Sequence, residues 1–504
     1  MPLKFNNPIY GGQDPFVCKG DDGRYYSVAE TSDSMGIAVY VSDRLTDRGI
    51  EHIVYTANKD GEDAADLWAP ELWHLQGKWY IYYAGAKARG IANWHTHRMF
   101  VLEADEPLGP YRFAGKLELG EAMCIDGTVM ELPDGKLIFF YMGKEEQESC
   151  NCLYMASMDS PIHIAGTPVL LTKPQYEWEG QITEGPFPIV RDGKVGLMYS
   201  ANAAHLPEYC IAYMKCNNPE EALNVSSWEK VNVPILKATG DLMGPGHACI
   251  VKSPDDSEDW LMFHSKFDCN KELPGGWNRV VNLARVKWGR DGVPQFELNG
   301  SYDEPIDVPS GEKGIETGRD VVLLPHKQYD RFCEYRYFRD FTINRRDDCL
   351  EIDSTAEPAY GDKVLLRDSQ YSDFVSQLTL KCSTDTGAAG FLFRISNPAA
   401  GAERWNGYGV TVSAKGKVQL IKCDRKIEIL AQAQTKIAEK SSLTVKAEKQ
   451  YLSVACGDEL LLSVTDQTYT EGSVGFAAFN SRCNFYNLSV SVITKNSKED
   501  QIHA

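Results

Sequence analysis

A strand, a tight turn and a second strand recur five times in the first three hundred residues, and this repeat limits the fold more than any other feature. The fourth copy is the clearest. Thr183-Glu184-Gly185-Pro186-Phe187-Pro188-Ile189-Val190 leads into Asp192-Gly193, and Val195-Gly196-Leu197-Met198-Tyr199-Ser200 leads out. Asp-Gly supplies the positive φ angles that a two-residue hairpin turn requires. Asp14-Pro15-Phe16-Val17, Ala69-Pro70-Glu71-Leu72-Trp73, Asp126-Gly127-Thr128-Val129-Met130 and Gly246-His247-Ala248-Cys249-Ile250 open the other copies. Each is followed by Gly or Asp turn residues and a second apolar run, such as Leu137-Ile138-Phe139-Phe140-Tyr141. Aligned on Asp14, Trp68, Asp126, Glu184 and His247, the copies are 54, 58, 58 and 63 residues apart. A near-constant period of this length, with room for about four short strands, predicts the blades of a five-bladed β-propeller. The innermost strands of such a ring converge on one axis. Asp14, Asp126 and Glu184, far apart in sequence, are therefore expected to meet at its mouth.

The repeats set the domain plan: a propeller over 1–300, then a Pro- and Gly-containing linker over 301–320. From 321 to 495 the pattern changes to alternating runs such as Phe374-Val375-Ser376-Gln377-Leu378-Thr379-Leu380 and Val474-Gly475-Phe476-Ala477-Ala478-Phe479. Strands at short intervals with turn signals between them predict a β-sandwich of jelly-roll type. Residues 496–504 form a charged tail. The fold class is all-β throughout. Val280-Val281-Asn282-Leu283-Ala284-Arg285-Val286 is the candidate for closing the ring.

Composition narrows the partners. A net charge of −19 argues against nucleic acid, whose phosphates such a surface repels. No run approaches the roughly 20 apolar residues of a membrane span. The opening Met-Pro-Leu-Lys-Phe-Asn-Asn lacks the apolar region of a signal peptide, which gives a cytoplasmic expectation. Fourteen cysteines at no repeated spacing read as small buried hydrophobes, and Cys150-Asn151-Cys152 lacks the partners of a metal site. The composition does not set the oligomeric state.

Three acids at one hub suit glycoside hydrolysis. An inverting enzyme needs a carboxylate to deprotonate water and a protonated acid for the leaving oxygen, about 6.5–9.5 Å apart so that the water fits. A third carboxylate near the acid keeps it protonated, because like charges disfavour a second ionisation. Spacing alone leaves open which acid does which. Trp68 is either core or a flat platform for a sugar ring. His247 is either a core histidine or an axial residue holding a metal or water. Trp94-His95-Thr96-His97-Arg98 places two histidines at i, i+2, with no third metal ligand, and reads as a cleft-lining loop containing Trp94.

Gln13-Asp14-Pro15-Phe16, Leu67-Trp68-Ala69-Pro70-Glu71, Ile125-Asp126-Gly127-Thr128, Thr183-Glu184-Gly185-Pro186 and Gly244-Pro245-Gly246-His247 together resemble glycoside hydrolase family 43, in family order. The resemblance implies that Asp14 is the general base, Glu184 the general acid and Asp126 the residue that raises and orients Glu184. It implies a sugar contact for Arg279 and an axial place for His247 beside a calcium or water; Trp68, Trp94 and His247 complete the candidate substrate-binding residues. No cofactor is implied for the reaction, while a structural calcium reached through water is a candidate at His247. Within the family, His97-Arg98-Met99-Phe100-Val101-Leu102-Glu103 and Tyr176-Glu177-Trp178-Glu179 look like the α-L-arabinofuranosidase branch, whereas Ala248 replaces the usual small polar residue. The later segment is similar to laminin-G-like or family 66 carbohydrate-binding modules, with Arg394 either a sugar contact or structural. The expected activity is inverting removal of terminal α-L-arabinofuranosyl residues from arabinose-containing oligosaccharides. β-Xylosidase or endo-arabinanase action on a xylose- or arabinose-containing substrate, and a non-catalytic sugar-binding propeller, stand as alternatives.

Overall fold

The computed structural model describes residues 4–493 apart from 32, 145–148, 267–278, 299, 303, 315–317, 336–342, 356–360, 368, 385–386, 399–400 and 437–439. The chain divides into two compact units, 1–312 and 313–504. The expected tail over 496–504 lies outside the described residues.

Unit 1 is a five-bladed propeller. Blade 1 is Phe16–Lys19, Tyr25–Glu30, Gly36–Ser42 and Ile50–Thr56; blade 2 is Ala65–Leu75, Lys78–Ala86, Arg98–Ala104 and Arg112–Lys116. Blade 3 is Met123–Glu131, Leu137–Lys144 and Cys152–Ser160, with His163–Ile164 and Val169–Thr172 both against its third strand. Blade 4 is Thr183–Arg191, Lys194–Ala201, Cys210–Cys216 and Trp228–Lys230. Blade 5 is Met243–Lys252, Asp259–Lys266 and Arg279–Trp288, extended by Pro294–Glu297. The strands within each blade pair antiparallel, and the first strands of successive blades touch all the way round the ring. The turn signals hold: Asp192 and Gly193 take φ of 50° and 71°, the two positive values of a type I′ turn.

Ring closure comes from the N-terminal side. Tyr10–Gly11 pairs with Val281 and Val280, so the strand expected to close the ring is the third of blade 5 and receives the closing strand. Asn7 reinforces this seam, its side chain donating to the Leu283 carbonyl at 2.8 Å and accepting the Leu283 N–H at 2.9 Å. Apolar seams fill the space between blades. Tyr82, Met99 and Phe139 pack between blades 2 and 3, and Phe140, Met155 and Leu197 between blades 3 and 4. Closing the ring pairs the last blade with the N-terminal side and surrounds the hub with buried inner strands.

One backbone feature repeats at the hub. Asp14, Ala69, Asp126, Gly185 and His247 have φ of 43°, 43°, 55°, 51° and 42°. In blades 2 to 5 this left-handed residue coincides with a break in the pairing register of the first strand. A bulge of this kind turns the strand and re-aims its side chains. The equivalent positions in blades 2 and 4 are therefore Ala69 and Gly185, one residue beyond the Trp68 and Glu184 on which the sequence aligns. Polarity drew the alignment to those two, whereas backbone conformation sets the true register.

Unit 2 is also all-β. One antiparallel sheet contains Phe374–Cys382, Ser441–Glu448, Tyr451–Cys456 and Arg482–Val492; the other contains Ala388–Ser396, Asn406–Val412, Lys417–Asp424 and Ser473–Phe479. Leu378, Val445 and Phe485 from the first share a core with Phe391, Val410 and Phe476 from the second. Arg394 is fully buried, and its guanidinium donates to the carbonyls of Ser372 at 2.8 and 2.9 Å and of Tyr469 at 3.0 Å. Of its two readings the structural one holds, because those donors are spent on backbone. Thirteen cysteines are described, ten of them buried, and none forms a disulfide.

Candidate active site

Asp14, Asp126 and Glu184 come together at the propeller hub, delivered by blades 1, 3 and 4. Asp14 is the most heavily partnered. Its Oδ1 lies 2.7 Å from Arg279 Nη1, 3.2 Å from His247 Nδ1 and 3.2 Å from His264 Nδ1. All three partners belong to blade 5, which the closed ring sets beside blade 1. Its backbone N–H also points at His264 Nδ1, 3.1 Å away. Arg279 reaches further to Gln13 Oε1, and Gln13 in turn donates to Glu30. Burial alone would raise the Asp14 carboxyl, but Arg279, His247 and His264 outweigh it and hold it well below the usual carboxylate range.

Glu184 has the opposite surroundings. The Tyr209 hydroxyl donates to its Oε1 at 2.8 Å. Burial, with the charge of Asp126 next and Asp14 adding to it, pushes its carboxyl up to about 8 against the pull of Tyr209 and His247. Asp126 links the two regions. Its Oδ2 accepts the Gly185 N–H at 3.0 Å, which ties blade 3 to the residue after the acid. Burial raises Asp126 too, helped by Asp14 and opposed by His247. Gly185 is needed where it stands: a Cβ there would lie 3.2 Å from the His247 ring, on a backbone with φ of 51°.

His247 sits among these acids. Its backbone N–H donates to Ser200 Oγ at 2.7 Å, and Ser200 pairs with Glu184 across blade 4. Burial disfavours its charged form, yet Asp14 and Asp126 prevail and lift it to about 9. A protonated imidazole whose Nδ1 faces a carboxylate is not a calcium ligand. Among the described residues no cluster of three or more His, Cys, Asp or Glu side chains has the geometry to hold a metal ion. Direct ligation of calcium by His247 Nδ1 does not fit, whereas these contacts leave the water-mediated calcium expected at His247 open.

The remaining expected contacts fall into two groups. Arg279 is buried and braces Asp14 and Gln13. Trp68 and Trp94 meet edge to face at 5.3 Å, with Trp94 carried on the 3₁₀ turn Ile91–Thr96. Trp68 also stacks on His97 at 4.0 Å. The two histidines of this stretch do not share a face: His95 is exposed, whereas His97 is buried between the carbonyls of Trp94 and Asp66.

Sequence reasoning missed Tyr209, His264 and Glu71. Tyr209 lies in an irregular loop with no repeat to flag it. His264 ends the apolar run Trp260-Leu261-Met262-Phe263-His264 and reads in sequence as no more than its terminus. Glu71 is buried near the axis, where it accepts from Trp73 Nε1 at 2.8 Å, and burial pushes it up to about 8.

The sequence model of Glycosyl hydrolases family 43 matches residues 5–294, a span that contains all three acids. The chain belongs to this family. The chain is 31% identical over 311 residues to an extracellular exo-alpha-(1->5)-L-arabinofuranosidase of Streptomyces avermitilis, an alignment covering 59% of this chain and 64%, just under two thirds, of the relative. A protein of the same name from Streptomyces chartreusis is 28% identical over 277 residues, covering 53% of this chain and 83% of the relative. The crystal structure of an alpha-L-arabinofuranosidase from Lactobacillus brevis superposes with a TM-score of 0.54 at 27% identity, over 58% of this chain and 96% of that one.

These relatives correct one expectation. Both Streptomyces proteins are named extracellular, so the cytoplasmic reading does not stand. Signal peptides are removed on export, and the character of the first few residues does not decide the compartment.

Proposed function

We propose that this family 43 chain is an inverting, exo-acting glycoside hydrolase that removes terminal α-L-arabinofuranosyl residues from arabinose-containing saccharides. The observation that carries the reading is the opposite poise of two neighbouring acids: Asp14 is held ionised, and Glu184 holds its proton to about pH 8. A pair of titratable groups pushed apart by their environments defines the base and the acid. Asp14 takes a proton from water as the water oxygen bonds to the anomeric carbon. Glu184 gives its proton to the glycosidic oxygen as the bond from that carbon breaks. Asp126 keeps Glu184 protonated and orients it through Gly185. No cofactor takes part.

The arabinofuranosyl specificity is supported by the names of the two Streptomyces relatives and of the Lactobacillus brevis structure. Restriction to short oligosaccharides rested on the cytoplasmic expectation and falls with it. Trp68 and Trp94 form an aromatic pair suited to a sugar face. Release of arabinose from 4-nitrophenyl α-L-arabinofuranoside, with product of inverted anomeric configuration by NMR, tests the reading. Cleavage of only the β-D-xylopyranoside, or a retained configuration, overturns it.

A further inference from the structure

Tyr209 is the most tightly built side chain at the hub that the scheme above leaves without a task. It ends the loop between the second and third strands of blade 4 and is fully buried. Its ring stacks on His264, with centroids 5.6 Å apart and planes 9° from parallel. Gly246 lies against the ring so closely that a Cβ there would stand 1.9 Å from it. The Gly-Pro-Gly-His motif thus has a steric reason: its second glycine is the seat of this phenol. Lys266 Nζ lies 5.8 Å from the ring centre and donates to the Leu206 carbonyl at 2.9 Å. The Gly244 N–H donates to the Pro207 carbonyl at 3.0 Å, so blade 5 grips the loop at two points. Ser200, held by the His247 N–H, interacts with the phenol as well. The ring is thereby fixed, and its hydroxyl donates to Glu184 Oε1.

We propose that Tyr209 is the positioning residue of the proton donor: by occupying Glu184 Oε1 as an acceptor, it leaves the transferable proton on Oε2. This rests on the general-acid reading of Glu184. A carboxyl with both oxygens uncommitted can carry its proton on either, and only one of them faces the glycosidic oxygen. During the reaction the proton on Oε2 moves to the leaving oxygen as its bond to the anomeric carbon breaks. The phenol keeps its own proton throughout and continues to donate to the carboxylate that results.

The test compares Tyr209→Phe with Glu184→Gln on two aryl α-L-arabinofuranosides. Phenol is a poor leaving group that needs protonation, whereas 2,4-dinitrophenol leaves without it. For Tyr209→Phe, kcat on the phenyl substrate falls at least about tenfold, kcat on the dinitrophenyl substrate changes less than about threefold, and KM stays level. The alkaline limb of the pH profile moves upward, because a donor that favours the ionised carboxylate is gone. 3-Fluorotyrosine at position 209 preserves the shape, strengthens the donor and moves the limb downward, which keeps the test decisive if the Phe variant folds poorly. Equal losses on both substrates, or a limb that stays fixed in the fluorotyrosine protein, overturn the proposal. If Glu184→Gln shows the leaving-group dependence and Tyr209→Phe does not, the tyrosine assignment alone fails. If Glu184→Gln retains full activity on the phenyl substrate, the acid assignment fails first and this proposal with it.

Discussion

The two ends of the hub hold the same kind of side chain in opposite states. On the side where blade 1 meets blade 5, Asp14 has an arginine and two histidines within 3.2 Å. On the blade 4 side, Glu184 has one phenol and the field of two other carboxylates. Burial works against ionisation in both places. What differs is the neighbours, and they decide the sign: Asp14 ends well below its usual range and Glu184 well above it. A ring of blades permits this contrast, because Asp14 takes its partners from blade 5, whereas Glu184 takes Tyr209 from its own blade and the charge of Asp126 from blade 3.

The strongest way to break the comparison is to remove either acid. Asp14→Asn is expected to lower kcat/KM by about 10²–10⁴ on all substrates, since activating water is needed whatever leaves. Glu184→Gln is expected to lose as much on poor leaving groups only. Steady-state kinetics on paired aryl arabinofuranosides checks both, and identical leaving-group behaviour of the two variants would erase the distinction.

Exchanging the neighbours sharpens the contrast without deleting an acid. Arg279→Met removes the strongest influence holding Asp14 ionised. Its carboxyl rises, so the acidic limb of kcat/KM moves to higher pH, with about a tenfold loss at the optimum. Asp126→Asn acts on the other side. Without that charge Glu184 gives up its proton earlier, and the alkaline limb moves down. Both are read from pH–rate profiles, and limbs that move in the opposite directions would contradict the account. The smallest expected effect is that of metal removal: dialysis against a chelator leaves kcat unchanged, because Asp14 and Glu184 supply both proton transfers of the proposed scheme. A calcium-restored loss of activity would return an ion to the axis.

The propeller was legible because its repeat is written in apolar runs and turn residues, which act locally. The meeting of Asp14, Asp126 and Glu184 followed from that repeat. What stayed hidden depends on backbone conformation or on contacts between blades. The left-handed residue of each inner strand falls on Ala69 and Gly185 rather than Trp68 and Glu184, and composition does not record φ. Tyr209 reaches Glu184 from an irregular loop, and Tyr10–Gly11 closes the ring across some 270 residues of sequence. Arg394 shows the reverse problem, for in sequence it reads equally as a sugar contact or as structural until its guanidinium is found donating to the Ser372 and Tyr469 carbonyls.

Difference infrared spectroscopy tests the central claim most directly, by asking which acid carries a proton at about pH 6, between the two limbs. A protonated-carboxyl C=O band that is present in the parent and in Asp14→Asn, and diminished in Glu184→Gln, is the predicted result. A band that persists in Glu184→Gln and diminishes in Asp14→Asn would contradict it.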